Sequence, residues 1–249
     1  MTSKVLSVLI VGGTNSAETY LGHPSACSGS SGYVSQLARQ LKRAGWQVHI
    51  ESHTPIDIHM ALPLIRQINL NRFDLILFEL GHTQLQEPAV FGDLFRASAP
   101  ATHHNQRWVN SKPTGRLLSQ AKLTTLRLLN LIGRVGRLQQ LETQLTDLLY
   151  YVQAHRRRLV LITPLTHPQQ VSNWIRQEGR QLFKKYGRHY MIPVFDTATV
   201  IGQGDEFFTD FGHGQLSLVA GDLLGQMLFD YIQTNALLPA RPELRQRRQ

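Results

Sequence analysis

The sequence has a single cysteine, no long apolar run and no G-x-S-x-G motif. Each of these absences excludes a class of structure or of site. Cys27 stands alone among 249 residues, which excludes an internal disulfide. No apolar run approaches the ~18 residues that a membrane-spanning helix needs, so no transmembrane segment is predicted. The short run from Val5 to Val11 leads into glycines. Cleavage after this run would remove the first predicted strand. We therefore interpret the run as a buried strand rather than a signal peptide, and we expect a cytoplasmic protein.

Acidic residues are absent between Asp93 and Glu142, in a chain with a formal net charge of +9. The basic residues of that stretch are Arg96, Arg107, Lys112, Arg116, Lys122, Arg127, Arg134 and Arg137. Such a charge attracts anions and nucleic acids without specifying either, and no nucleic-acid partner is predicted. Leucines from residue 115 onward predict an amphipathic helical hairpin with its basic residues facing water. A lid over the cleft or a surface for an anionic partner remains an alternative.

Nucleotide and metal signatures are also missing. Neither G-x-x-x-x-G-K-[ST] nor G-x-G-x-x-G occurs. The stretches 12–16 and 28–32 still resemble a phosphate cradle, because amides at a helix N-terminus favour anions. A flavodoxin-like phosphate or nucleotide binder therefore stays open as a third hypothesis. His103 and His104 are adjacent and have no carboxylate near them in the sequence, so neither a metal nor a cofactor is predicted.

Five short apolar runs, separated by helical patterns, predict an α/β fold. The predicted strands are Val5–Val11, Gln47–Ser52, Leu75–Leu80, Leu159–Thr163 and Ile192–Asp196. Continuous apolar runs suit a parallel sheet that is buried on both faces. The predicted helices are one from about Val34 to Gly45, one from Ile58 to Ile68, one from Pro168 to Gly187 and one from about Leu216 to Ile232. Repeated β-α units predict a doubly wound sheet with right-handed crossovers.

The residues that could carry chemistry fall where the carboxyl ends of such strands are expected. Asp210 and His213 precede the last helix and could pair within a single turn. The first strand runs into Gly-Gly-Thr at residues 12–14, and Thr54 and Thr83 follow the next two strands. Because reactive groups of doubly wound sheets collect at this edge, we expect these segments to lie together. A hydroxyl, a histidine and a carboxylate are the parts that serine-type hydrolysis needs. No G-x-S-x-G is present, so the order differs from that of the α/β-hydrolase elbow.

In this order the motifs resemble the SGNH, or GDSL-like, hydrolase superfamily, whose members are esterases, lipases and carbohydrate deacetylases. The family's Gly-Asp-Ser turn is matched by residues 12–14, and its next helix begins Gly-Tyr, as at residues 32–33. Its Gly-x-Asn-Asp block is matched by Gly-His-Thr-Gln at 81–84. Its Asp-x-x-His block is intact at 210–213. The glycine of its second block has no counterpart in 51–55.

The resemblance implies a three-layer α/β/α sandwich whose five-stranded parallel sheet has a flavodoxin-like order. It also implies an ester hydrolase for a small acyl or acetyl ester, in which Thr14 or Ser16 attacks, His213 acts as base and then acid, and Asp210 orients it. The implied site residues are Thr14, Asp210 and His213 for catalysis and Gly13, Ser16, Thr54 and Thr83 for oxyanion or substrate binding. The implied partner is a small ester or a carbohydrate-like ligand.

Departures from the family pattern support an alternative. The β-methyl group of threonine crowds attack, and Thr14 has no terminal amine to activate it. Losing one oxyanion donor typically costs ~10²–10³ in rate. A catalytically inactive protein of the same fold, binding a ligand or partner in the former cleft, is therefore the second hypothesis. Under either hypothesis we expect one domain over residues 1–238, with a basic helical insertion at about 92–154 and a disordered basic tail at 239–249.

Overall fold

A computed structural model describes residues 5–12, 32–53, 56–81, 85, 116–131, 135–210 and 215–239. The strands are β1 (Val5–Gly12), β2 (Gln47–His53), β3 (Leu75–Glu79), β4 (Leu159–Ile162), β5 (Val194–Phe195), β6 (Phe208–Asp210) and β7 (Gln215–Leu216). The α-helices are α1 (Tyr33–Arg43), α2 (Ile58–Gln67), α3 (Arg116–Leu131), α4 (Gly136–Val152), α5 (Gln170–Tyr190) and α6 (Leu218–Thr234).

The first five strands form one parallel sheet in the order β2-β1-β3-β4-β5. The chain moves from β1 outward to β2 and then crosses to the other side of β1 with β3. The strand order therefore reverses between β1 and β3, which is where doubly wound folds bind their ligands. The predicted five-stranded parallel sheet with a flavodoxin-like order is confirmed.

Helices cover both faces of the sheet. Because successive side chains of a strand point to opposite faces, Leu9 and Val11 join the core under α2, α4 and α5, whereas Val8 and Ile10 join the core under α1 and α6. Strands β3 and β4 are buried throughout, as continuous apolar runs predict. The predicted three-layer sandwich is confirmed.

Helices α3 and α4, which lie between β3 and β4 in the chain, differ in how deeply their leucines are buried. Leu141, Leu145, Leu148 and Leu149 of α4 are fully buried in the core against the sheet. In α3, Leu126 is buried while Leu128 is exposed. The region predicted as a basic insertion therefore contributes a helix to the core, and the limits of the insertion and tail stay predictions. None of the described helices is long and apolar enough to cross a membrane.

Two local features differ from the sequence expectations. Helix α5 begins two residues after Pro168 and continues past Gly187 to Tyr190, so the prediction that Gly187 ends it is wrong. That glycine is a packing position instead, because a Cβ there would lie 2.1 Å from Val194 Cγ2. The antiparallel pair of β6 and β7 was not predicted, since two strands of three and two residues leave no periodic pattern.

Replacing Gly12 by alanine should destabilise the fold more than the same change at Gly45. Both glycines have a positive φ, +106° and +87°, so both variants carry backbone strain of about 1–2 kcal/mol. Only at Gly12 would the new methyl group meet backbone, 2.0 Å from the carbonyl oxygen of Glu79; around Gly45 none of the described atoms lies within 4 Å.

We expect Gly12→Ala to lower the free energy of unfolding by about 2–4 kcal/mol more than Gly45→Ala, because overpacking adds to the strain. Urea denaturation followed by circular dichroism measures both. Equal losses in the two variants would contradict the observed contact between β1 and β3.

Candidate active site

Strands β1, β2 and β3 end side by side at one edge of the sheet. In the sequence, the predicted oxyanion and nucleophile residues come directly after these strand ends. Val11 is in register with His53 at the end of β2, and Gly12 is in register with Glu79 at the end of β3. Each strand is followed directly in the chain by a segment that carries predicted site residues. Those residues lie outside the described part of the chain: Gly13, Thr14, Ser16, Thr54 and Thr83.

The predicted acid–base segment is bracketed by a short antiparallel hairpin. Asp210 is the last residue of β6 and is in register with Gln215 of β7. The backbone of Asp210 is described but its side chain is not, and His213 lies outside the described residues. Ser217 closes the hairpin, because its amide donates to the carbonyl of Phe207 at 2.9 Å. Its hydroxyl also caps α6 by accepting from the amide of Ala220 at 3.2 Å.

The helices that follow these two segments pack against each other. Helix α1 follows the segment that holds Thr14, and α6 follows the segment that holds His213. Contact is close, since a Cβ on Gly225 of α6 would lie 2.5 Å from the carbonyl oxygen of Tyr33, the first residue of α1. Their buried side chains share one core cluster: Tyr33, Val34, Leu37 and Leu41 of α1 with Ala220, Leu224, Leu228, Phe229 and Ile232 of α6.

A buried tyrosine–carboxylate pair lies at the point where the strand order reverses, and sequence reasoning missed it. The Tyr33 hydroxyl donates to Glu79 Oε2 at 2.5 Å, and the two residues are only 1% and 2% exposed. Burial, together with the negative charge of Glu79, raises the pKa of the Tyr33 phenol well above its usual value. The phenol therefore keeps its proton and remains a donor at neutral pH.

Glu79 contacts the last residue of β1 and the first residue of α1. Its carbonyl oxygen packs against Gly12 of β1, and its carboxylate accepts from the hydroxyl of Tyr33 of α1. The sequence does contain one indication of this pair, because a glutamate ends the otherwise apolar strand Leu-Ile-Leu-Phe-Glu. Buried carboxylates are rare unless they are paired, so a glutamate in that place predicts a specific partner.

Among the described residues, no group of three or more histidine, cysteine, aspartate or glutamate side chains is placed to hold a metal ion. His103 and His104 lie outside those residues.

Comparison with solved structures gives the same fold with little sequence identity. A lipase/acylhydrolase from Enterococcus faecalis has a TM-score of 0.57 and 14% identity, covering 94% of this chain and 97% of its own. A variant of an acetyl xylan esterase from Geobacillus stearothermophilus has a TM-score of 0.56 and 11% identity, covering 95% and 97%. A protein described as a GDSL-like lipase, from Parabacteroides merdae, has a TM-score of 0.55 and 17% identity, covering 95% and 98%.

No family model and no curated protein sequence matches this chain. The structural similarities extend over almost the full length of both partners, so the chain has the α/β/α fold of the SGNH and GDSL-like esterases and lipases. At these identities the likeness shows the fold alone.

Tyr33→Phe should remove a hydrogen bond to a buried carboxylate and lower the free energy of unfolding by about 1.5–3 kcal/mol. The matched control is Tyr150→Phe, because Tyr150 is 73% exposed on α4. That change should stay within about 0.5 kcal/mol. Chemical denaturation at pH 7 measures both. Equal effects would show that the Tyr33–Glu79 pair contributes nothing.

The same two proteins give a pH test. Since the pKa of Tyr33 is raised above its usual 10.0, its contribution is complete below pH 10 and is lost as the pH rises through the folded-state pKa. The stability gap between wild type and Tyr33→Phe should therefore narrow as the pH is raised above 10. A gap that widens there would contradict the raised pKa.

Proposed function

We propose that the chain is an ester hydrolase of the SGNH type, acting on a small carboxylic ester through a hydroxyl, His213 and Asp210. The observation that carries the proposal is the packing of α1 on α6, with Gly225 against the Tyr33 carbonyl. Along the chain, α1 follows the segment that holds the hydroxyl, and α6 follows β7, the strand after the histidine. Their contact on one face of the sheet favours a meeting of both segments at the edge next to Gly12.

The chemistry follows from the residue types. The Thr14 hydroxyl, or that of Ser16, would attack the ester carbonyl carbon while His213 takes its proton, and Asp210 would hold the imidazole in the required tautomer. The carbonyl oxygen would gain negative charge, for which the amide of Gly13 and the hydroxyl of Thr83 are the candidate donors. His213 would then protonate the departing alcohol, and water would release the acid in a second cycle.

The substrate class rests on the structural neighbours and on the family resemblance. The neighbours named above are a lipase/acylhydrolase, an acetyl xylan esterase and a GDSL-like lipase. All three names refer to ester or acyl chemistry, which supports an acyl or acetyl ester here. Thr54, directly after β2, is proposed to line the pocket because β2 lies next to β1 in the sheet.

The second candidate is an inactive protein of the same fold that binds a ligand in the former cleft. The sequence favours it at three positions, because residues 14 and 83 are threonines and no glycine occurs at 51–55. Each change weakens attack or oxyanion binding, whereas the fold around them is kept. Under this reading Asp210 and His213 contribute to the hairpin or to ligand binding.

Hydrolysis of p-nitrophenyl acetate separates the two candidates. His213→Ala should lower kcat/KM at least ~100-fold, because a general base contributes that much or more. His189→Ala is the matched control, since His189 is an exposed histidine near the end of α5. It should leave kcat/KM unchanged. Wild type and His213→Ala giving the same background rate across acyl lengths would exclude hydrolysis through this histidine.

The nucleophile is identified by a second set of variants. If Thr14 attacks, Thr14→Val should abolish turnover, and Thr14→Ser should raise kcat because it removes the crowding methyl group. If Ser16 attacks, Ser16→Ala should abolish turnover while Thr14→Val retains it. Full activity in both Thr14→Val and Ser16→Ala would contradict the hydroxyl mechanism at this turn.

A further inference from the structure

Two buried arginines lie one turn apart on α5, and each has a nitrogen donor without a hydrogen-bond partner among the described residues. Arg176 is 2% exposed and Arg180 is 7% exposed. Arg176 Nη1 donates to the carbonyl oxygens of Thr166 at 3.1 Å and Leu165 at 3.5 Å. Arg176 Nε and Arg180 Nη1 are buried as well, and neither has a hydrogen-bond partner in the part of the chain that the structure describes.

The carboxylate whose charge acts on Arg180 is already engaged. Asp196 forms an ion pair with Lys184, which continues the row of cations along α5. Its Oδ1 also accepts from the amide of Ala198 at 3.2 Å and from the hydroxyl of Thr163 at 3.3 Å. Burial lowers the pKa of Arg180, and the negative charge of Asp196 opposes this only in part. Burial, with the charge of Arg180 adding to it, lowers the pKa of Arg176 to about 10, so Arg176 is a cation at neutral pH. Arg180 carries a positive charge as well, because guanidinium groups keep their proton in proteins.

These arginines point toward the edge of the sheet where the proposed active site lies. Side chains of a helix lean toward its N-terminus, and the N-terminus of α5 follows the carboxyl end of β4. The connecting loop is itself buried, and its Thr166 hydroxyl donates to the carbonyl oxygens of Ile201 at 3.1 Å and Gly202 at 2.8 Å. Arg176 therefore lies under the loop that follows β4, and Arg180 is within reach of the charge of Asp196, which follows β5.

We infer that Arg176 and Arg180 form a binding site for an oxyanion, the carboxylate or phosphate group of a ligand. A buried cation whose donors stay unsatisfied destabilises a fold, and an anion with two or more oxygens relieves this because it accepts from both guanidinium groups. The planar fork of arginine matches the geometry of carboxylates and phosphates. The anion enters from the side of Arg180, which is the more exposed of the two arginines. The site does not depend on the proposed hydrolysis, since binding alone satisfies it.

The test is anion binding by the whole protein, measured calorimetrically with inorganic phosphate and with malonate, while sodium chloride keeps the ionic strength constant. We expect saturable binding of at least one of them, with a matching rise in Tm. Phosphate alone would identify a phosphate ligand, and malonate alone a carboxylate ligand. Arg180→Gln should weaken binding by about 10–100-fold, the value of a charge-assisted hydrogen bond. Arg188→Gln, at an exposed arginine of the same helix, should bind like wild type.

A second readout separates an anion site from a merely structural arginine. Without added anion, Arg180→Gln should be at least as stable as wild type, because it removes a buried charge whose desolvation outweighs its attraction to Asp196. Arg180→Lys keeps the charge without the fork, and it should fold and bind more weakly than wild type. No binding of either anion by wild type, or equal binding by wild type, Arg180→Gln and Arg180→Lys, would overturn the inference.

Discussion

The close contact between the last residue of β1 and the backbone of β3 is the constraint on which the candidate site depends. Gly12 lies so near the Glu79 carbonyl that no side chain fits, and this contact holds the end of β1 against β3. The carboxylate of the same glutamate binds Tyr33 at the start of α1. One residue of β3 therefore contacts both the last residue of β1 and the first residue of α1.

The fold could be predicted from the sequence because its signals are local and repeated. The apolar run at Val5–Val11 and the helical spacing before Gly45 each describe one element, and their alternation determines the sheet. Contacts between distant residues could not be predicted in this way. Tyr33 and Glu79 are 46 residues apart, and Gly187 looks like a helix end until its packing against Val194 is seen. The hairpin at Asp210 is too short to leave a pattern.

The candidate site divides into a scaffold and a reactive part. The described residues form the scaffold: the aligned strand ends, the paired helices α1 and α6, and the hairpin that brackets residues 211–214. The reactive part is proposed from the sequence alone, with Asp210 and His213 as the acid–base pair, Thr14 or Ser16 as the nucleophile, and Gly13 and Thr83 as oxyanion donors. Fold similarity to esterases therefore supports the proposed chemistry without deciding it, because the same scaffold could hold a ligand that is never cleaved.

The most direct test of the central claim is covalent labelling with a fluorophosphonate, followed by peptide mass spectrometry. A hydroxyl activated by His213 displaces fluoride and forms a stable phosphonyl ester, so the label reports that the two segments meet. The account predicts a label on Thr14 or Ser16 in wild type and its loss in His213→Ala. Labelling that is equal in both proteins, or that is confined to residues far from the end of β1, would contradict it.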